Sequence, residues 1–431
     1  MEPARVNSFR TARKPLEVRF DAPDVSSDGG LLLVKKVDER LGLTAGMAAC
    51  LDDRRKDPIH SARKILTQRV YGIAMGWEDA NDFDKDDLGG DPLYELVLGS
   101  TPASQPTLSR FENSVGRKAL YGLSRALAQA FLVRHKKKPP QRIVIDMDAT
   151  VDPAHGQQEF EYYHGFYKSH CYLPLLVFCA ADGGPQELVG AILRPGNSHA
   201  GRRAAAVLRR AVGLLREAFP RAELVLRGDA GFALPEVYET LEGLGVRYLV
   251  SLPKNARLLE KAAPLMDEAV RHRDDSGHKS RVFGETTYAA ASWTKERRVI
   301  VKAEAMDKGE NPRFVVTDMK GDPEDLYDEY CLRGDSENRI KEMKLEMSSG
   351  RTSCHRFLAN AFRLLLHAAA YVLLQALRAM LEGTGLARAT VGHVRLKLLK
   401  VAAQVAISTR RILVRLPRGH PHKRLFISLM G

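Results

Sequence analysis

Three acidic positions in the sequence each end or follow an apolar run, or face cations at regular spacing. In "RIVIDMD" (142–148), strand alternation puts Val144, Asp146 and Asp148 on one face and Ile143, Ile145 and Met147 on the other. "AELVLRGD" (222–229) repeats the arrangement, with Asp229 closing the run between Gly228 and Gly231. The third lies in "YCLRGDSENRIKEMK" (330–344). At about 100° per helical residue, Tyr330, Arg333, Lys341 and Lys344 fall within roughly 40° of Glu337. Gly334 and the cap-like Asp335 and Ser336 place the start of the regular helix near Glu337, with Tyr330 and Arg333 on its lead-in.

A carboxylate at the end of an apolar strand is costly to bury unless it is paired or metal-bound. Strand ends are also where α/β sheets place ligands. Each aspartate alone also fits a strand-end turn or a helix cap. The glutamate face alone fits a solvated helix whose ion pairs among Arg333, Glu337 and Lys341 are worth tenths of a kcal/mol. Three acids converging from two strands and a helix suit hard cations. Magnesium takes oxygen ligands and is held by one or two carboxylates plus substrate phosphate. Two ions about 3.5–4 Å apart can activate an attacking oxygen and stabilise a leaving one. Arg333 and Lys344 would then hold flanking phosphates. That chemistry is phosphodiester chemistry on nucleic acid.

The elements that must position these groups change character along the chain. Up to about residue 130, apolar residues at three-and-four spacing predict helices, as in "LLLVKKVDERLGL" and "HSARKILTQRVYGIAMG". In "QPTLSRFENSVGRKALYGLSRALAQAFLVRH", Thr107 or Ser109 offers a helix start, and Glu112 completes a capping-box pattern with Ser109. "RHKKKPPQ" (134–141) breaks the pattern. Strands follow at 142–148, 171–180 and 187–193, then helices and strands alternate, which predicts an α/β sheet covered by helices. From 275 to 318 the texture is purely strand-like, and a long apolar helix over roughly 356–383 returns to the core. The predicted organisation is a helical region at 1–138, a sheet at 139–274, a β-rich insertion at 275–318, the glutamate helix within 319–385, and a basic segment at 386–431.

At 431 residues, 44% hydrophobic and 28% charged, the chain has the composition of an ordinary globular protein with room for a large core. Its five cysteines are scattered, with no CxxC pair, which predicts neither a disulfide framework nor a zinc ribbon and fits a reducing cytosol. No secretory signal precedes the first elements. The most apolar stretch, "LLLHAAAYVLLQAL", is shorter than the roughly 20 residues that span a bilayer, so a buried helix and no membrane partner are expected. The net charge is +13, and no acidic residue follows Glu382, whereas ten lysines and arginines do. A one-signed segment of this kind points to a polyanion, most often nucleic acid.

The frame Tyr330, Arg333, Glu337, Lys344 matches the Y-x2-R-x3-E-x6-K signature of bacterial insertion-sequence transposases with a DDE triad. "GLLLVKKVDERLGL", "GWEDANDFDKDDLGGDP", "SQPTLSRFEN", "DMDATVDPAHGQQE", "HGFYKSHCYLPL" and "RGDAGF" resemble blocks of such enzymes, in the expected order and over most of the chain. The resemblance implies a ribonuclease-H-like mixed sheet with flanking helices, interrupted by the β-rich insertion and preceded by a helical DNA-binding region. It implies Asp148 as first acid, with Asp146 as the alternative, then Asp229 and Glu337. It also implies two Mg2+ or Mn2+ ions and cleavage and transfer of DNA at the ends of a mobile element, with a homodimer synapsing double-stranded terminal repeats. Action on the bacterial nucleoid within the cytoplasm follows. Tyr330, Arg333, Lys341 and Lys344 would contact DNA, and Trp293 would either stack on a flipped base or pack in the insertion.

Weaker patterns are outweighed by plainer readings. Asp82, Asp84 and Asp86 are spaced like a calcium loop, but Asp87 and Leu93 stand where glycine and glutamate are needed. His155, His164, His170 and Cys171 lack a regular zinc spacing. "SQPTLSRFEN" could be a helix-turn-helix contact or simply part of a bundle. The Arg-Gly-Asp at 333–335 recurs at 227–229 and needs extracellular display to act in adhesion.

Overall fold

A computed structural model describes residues 4–6, 16–18, 21–53, 55–85 and 87–431. The helical region contributes α1 (Leu31–Leu41), α2 (Ala62–Met75), α3 (Gln105–Ser114) and α4 (Arg117–His135). The sheet begins with β1 (Arg142–Ala149), β2 (Leu175–Ala181) and β3 (Glu187–Ile192). Then come α5 (Ala204–Ala218), β4 (Glu223–Gly228), α6 (Pro235–Gly243), β5 (Arg247–Leu252) and α7 (Ala256–Ser276). The strand-like segment supplies β6 (Ser280–Tyr288), β7 (Arg297–Met306) and β8 (Arg313–Thr317). Helices α8 (Pro323–Cys331), α9 (Gly334–Glu346) and α10 (Phe357–Ala379) follow. The chain ends in a hairpin, β9 (Ala403–Ile407) and β10 (Ile412–Arg415), and a helix, α11 (Lys423–Met430).

The main sheet runs β6-β7-β8-β5-β4-β1-β2-β3. Strands β1, β4 and β5 are parallel neighbours and every other neighbouring pair is antiparallel. The order 3-2-1-4-5 among β1 to β5 is the ribonuclease-H-like arrangement. The strands after residue 275 continue the same sheet, because β8 pairs with β5 in register Leu249↔Thr317 to Leu252↔Phe314.

Alternation in β1 divides two cores. Ile143, Ile145 and Met147 join Leu224, Leu226 and Val250 beneath α5, α6 and α7. On the other side, Phe178 and Leu188 meet the helical region and α10. Helix α10 is buried at every position from Ala359 to Leu377. With 23 residues it is long and apolar enough to cross a membrane, yet in this fold that apolar surface is the centre of the helical layer.

One local expectation differs from the structure. Helix α3 starts at Gln105, after Ser104, with Pro106 in its first turn. Glu112 therefore lies in the last turn, buried and 2.7 Å from the Arg69 guanidinium, and completes no capping box. The basic segment is also anchored: β9 pairs with Val25–Ser26, and the Gly29 and Gly30 amides donate to Val401 and Leu399 carbonyls. Gly30 permits that approach, since a Cβ there would lie 2.2 Å from Leu399 Cα and 2.7 Å from Leu398 O. Neither backbone atom can rotate away. Gly30→Ala should cost about 1–3 kcal/mol in urea unfolding and speed proteolysis within 386–431. A wild-type midpoint and cleavage rate would show that the contact is dispensable.

Candidate active site

The parallel register of β1 and β4 sets the site. Asp146 pairs with Arg227 and Met147 with Gly228, so the next residues outward, Asp148 (still paired with Leu176 of β2) and Asp229 (just past β4), stand side by side. Neighbouring strands lie about 4.8 Å apart. Asp229 Oδ1 accepts from the Gly231 amide at 2.8 Å, capping a short turn anchored by buried Phe232. Gly231 has no room for a Cβ, which would lie 2.5 Å from Ala200 Cβ. The turn-cap role and a place in the site thus coexist in one residue.

Glu337 arrives from the first turn of α9. Arg333, between α8 and α9, donates to Asp148 Oδ2 at 3.0 Å and to Glu337 Oε1 at 2.8 Å. Ser336 is fully buried and donates to Asp148 at 3.3 Å and to the Arg333 carbonyl at 2.8 Å. Burial pushes the Asp148 pKa up to about 6; Arg333 and Ser336 oppose the rise, and Asp229 and Glu337 add to it. Burial works against the Arg333 charge, but Asp148, Tyr330, Asp229 and Glu337 outweigh it and raise the guanidinium pKa. Tyr167 is pushed up by burial and then by Asp148 and Asp229, which places it beside the same acids.

The acids are hard oxygen donors of the kind a divalent cation takes, and Asp229 and Glu337 both act on Asp148. Arg333 supplies the neutralising charge between Asp148 and Glu337. Among the described residues, no three His, Cys, Asp or Glu side chains close into a ready-made cluster.

A family model described as "Transposase DDE domain group 1" matches residues 9–431. The chain belongs to the DDE transposase family. Its solved neighbours include "Crystal structure of the Mos1 mariner paired end complex with Mn", at 15% identity and a TM-score of 0.18, over 47% of this chain and 62% of that one. A second is "Mos1 transposase paired-end complex with left transposon end", at 15% identity and a TM-score of 0.17, over 51% and 68%. The chain spans about three fifths of the first of these. No curated protein matches.

The other acidic and basic candidates fare unequally in the fold. Asp146 is fully buried in a two-pronged pair with Arg227, at 2.8 and 2.6 Å, and also accepts from Gln186. Its pKa is raised by burial, which outweighs Arg227. That carboxylate is spent on the fold. Leu332 and Arg333 separate α8 from α9, so Tyr330 and Glu337 lie on different helices. Tyr330 sits on α8, packed against Leu249, Ile300, Val315 and Leu326 and 6.1 Å from the Tyr327 ring. Asp335 and Ser336 lie inside α9 rather than capping it; Ser336 buttresses Asp148 instead.

Lys341 is exposed, with no carboxylate partner among the described residues. Lys344 turns inward to the Val151 carbonyl and to Asp152 at 3.3 Å. Trp293 packs at 5.1 Å from Tyr238, 5.5 Å from Tyr288 and under the Arg297 guanidinium at 5.2 Å. Of the acidic run, Asp82 accepts from the Asp79 amide, and Asp86 lies outside the described residues. His170 pairs with Glu161 rather than with Cys171.

Arg194 gave no signal in the sequence. It is 3% exposed and faces no carboxylate; it donates instead to the carbonyls of Leu173, His199, Ala200 and Arg202. Burial, with Arg202, lowers its pKa to about 10. The loop it holds is the one against which Gly231 packs. Arg194 therefore braces the backbone behind Asp229.

Two predictions follow from these pairs. Asp146→Ala leaves Arg227 buried without its partner and should cost about 3–5 kcal/mol in urea unfolding, whereas Asp148→Asn, with Arg333 still held by Glu337, should cost far less. Equal costs would mean that the two aspartates are not divided in this way. The second concerns Asp152, whose pKa burial raises from 3.8 to about 6 against the pull of Lys344. The folded chain then binds that proton more tightly than the unfolded chain, so this contribution is complete below about pH 4 and is lost as pH rises through 6. Asp152→Asn should remove a stability change on the order of 3 kcal/mol between pH 4 and 7. An unaltered pH slope in the variant would overturn the assignment.

Proposed function

We propose that this chain is a catalytically active transposase that cuts DNA at the ends of a mobile element and joins the freed ends to target DNA, in a cut-and-paste manner. The observation that carries this is the emergence of Asp148 and Asp229 side by side from parallel strands, with Glu337 tied to Asp148 through Arg333. In this reading Asp148, Asp229 and Glu337 hold two Mg2+ or Mn2+ ions. The ions supply activation of the attacking oxygen and charge stabilisation of the leaving one.

The chain's own residues do the positioning. Ser336 and Arg333 fix Asp148, the Gly231 amide fixes Asp229, and Arg194 stiffens the loop behind it. Once its carboxylates engage cations, the Arg333 guanidinium is free for a bidentate phosphate contact. Lys341 is already exposed for one. Lys344 reaches a phosphate only by leaving Asp152, and Tyr330 contributes through packing. The Tyr-Arg-Glu-Lys spacing is thus read as the frame of a DNA-facing surface.

The remaining features of the reading are double-stranded terminal repeats and target DNA as partners, a homodimer holding two ends, and action on DNA in the bacterial cytoplasm.

The test is nicking and joining of duplexes carrying the element's ends, with Mg2+ or Mn2+. Loss of a partner around a metal ligand costs 10- to 100-fold, so loss of a ligand itself should cost more than about a hundredfold. Asp148→Asn, Asp229→Asn and Glu337→Gln should each do so while far-ultraviolet circular dichroism stays unchanged, and Asp146→Asn should fail through stability instead. Specific binding to the ends without nicking in either metal would favour a non-catalytic DNA-binding descendant.

A further inference from the structure

We propose that the hairpin β9–β10 is an arm that grips duplex DNA apart from the acidic site; this rests on the reading above that the chain acts on DNA. The ten cations after Glu382 separate into two groups. Arg395 and Lys400 serve the fold: Arg395 donates to the Ala74 and Glu346 carbonyls at 2.9 and 2.8 Å. Lys400 pairs with Asp28 at 2.8 Å and lies 3.9 Å over the Trp77 ring. The others, Arg410, Arg411, Arg415 and Arg418 among them, are exposed and have no carboxylate partner among the described residues.

The hairpin's register adds a second, independent feature. Val405 pairs with Val414 and Ile407 with Ile412, so all four share one face. At the base, Val405 is 4% exposed and Val414 packs on the core. At the tip, Ile407 and Ile412 are 71% and 53% exposed. One apolar face therefore starts in the core and runs off the body of the protein, ending beside Arg410 and Arg411 in the turn. Water alone gives no reason for an isoleucine pair there.

Duplex DNA fits both halves of this surface. A two-stranded ribbon matches the width of the major groove. Exposed cations at its tip meet phosphates, and apolar side chains are used as wedges or groove contacts by architectural DNA binders. The strand β9 is secured to Val25–Ser26 and to the helical layer, so the arm is mounted away from the sheet that carries the acids. It would hold DNA flanking the cleaved position.

The experiment measures binding of a random-sequence duplex by the full chain across a salt series. Removing two phosphate contacts lowers the slope of log affinity against log salt by about 0.9 for each. Arg410→Ala/Arg411→Ala should therefore reduce the slope by about two, with a wild-type urea midpoint. Ile407→Ser/Ile412→Ser should weaken binding while leaving the slope unchanged. Wild-type affinity and slope in both double variants would overturn the arm and leave the transposase reading intact. Wild-type chain that binds no duplex at any salt would overturn both. Basic and apolar groups together also suit an anionic bilayer. Loss of binding to phosphatidylglycerol vesicles in the arginine variant, with duplex binding unchanged, would assign the arm to a membrane surface and overturn the proposal.

Discussion

The parallel pairing of β1 with β4 is the constraint on which the site depends. The β1–β4 ladder ends at Met147 and Gly228, so the residues one step past it are neighbours without any further device. Asp148 and Asp229 occupy those two positions. Parallel pairing in turn requires a crossover and burial on both faces. Those requirements account for most of the surrounding architecture: β2, β3 and α5 form the excursion between the two strands, α6 and α7 close one face, and the helical region with α10 closes the other. The third acid reaches this edge on α9, through Ser336 against Asp148.

A second principle divides the charged side chains. Several that hold the fold are buried among more than one partner. Asp146 has Arg227 and Gln186; Arg69 has Glu112 and the carbonyls of Glu78 and Asp79; Glu342 has Arg378, Arg339 and the Tyr371 hydroxyl. Each such set leaves little free capacity for a ligand, and breaking one strands a buried charge. The acids at the sheet edge are different. Glu337 is half-exposed, and Asp148 is neutralised mainly by one arginine it shares with Glu337. Incomplete pairing near solvent is the physical mark of the site.

Much of this was legible in the sequence because strand alternation and strand-end acids are local patterns. The two-residue repeat in "RIVIDMD" fixed which side chains entered the lower core, and the glycines around Asp229 announced a tight turn. The choice between Asp146 and Asp148 was not local, since the two share a face and differ only in having Arg227 on the adjacent strand. Arg194 was invisible for a similar reason: its partners are backbone carbonyls, which leave no trace in residue identity. The break before the Glu337 helix was legible from Gly334, Asp335 and Ser336, but the lead-in that carries Tyr330 is itself a helix, α8. The insertion was legible as strands, but its pairing with β5 depends on edges that only the folded sheet defines.

Arg333, between α8 and α9, also decides the charge at this place. Its pair with Glu337, four residues on, would be worth little on an open surface. Here 15% of the side chain is exposed, and the guanidinium reaches Asp148 and Glu337 together. Three acids converging without a cation repel one another and favour protonation. A guanidinium offers five fixed donors and keeps its charge in such surroundings. It therefore holds Asp148 and Glu337 together, with a bond geometry that a phosphate also matches. A lysine at the same place would neutralise the charge but could not bridge two carboxylates in a fixed plane.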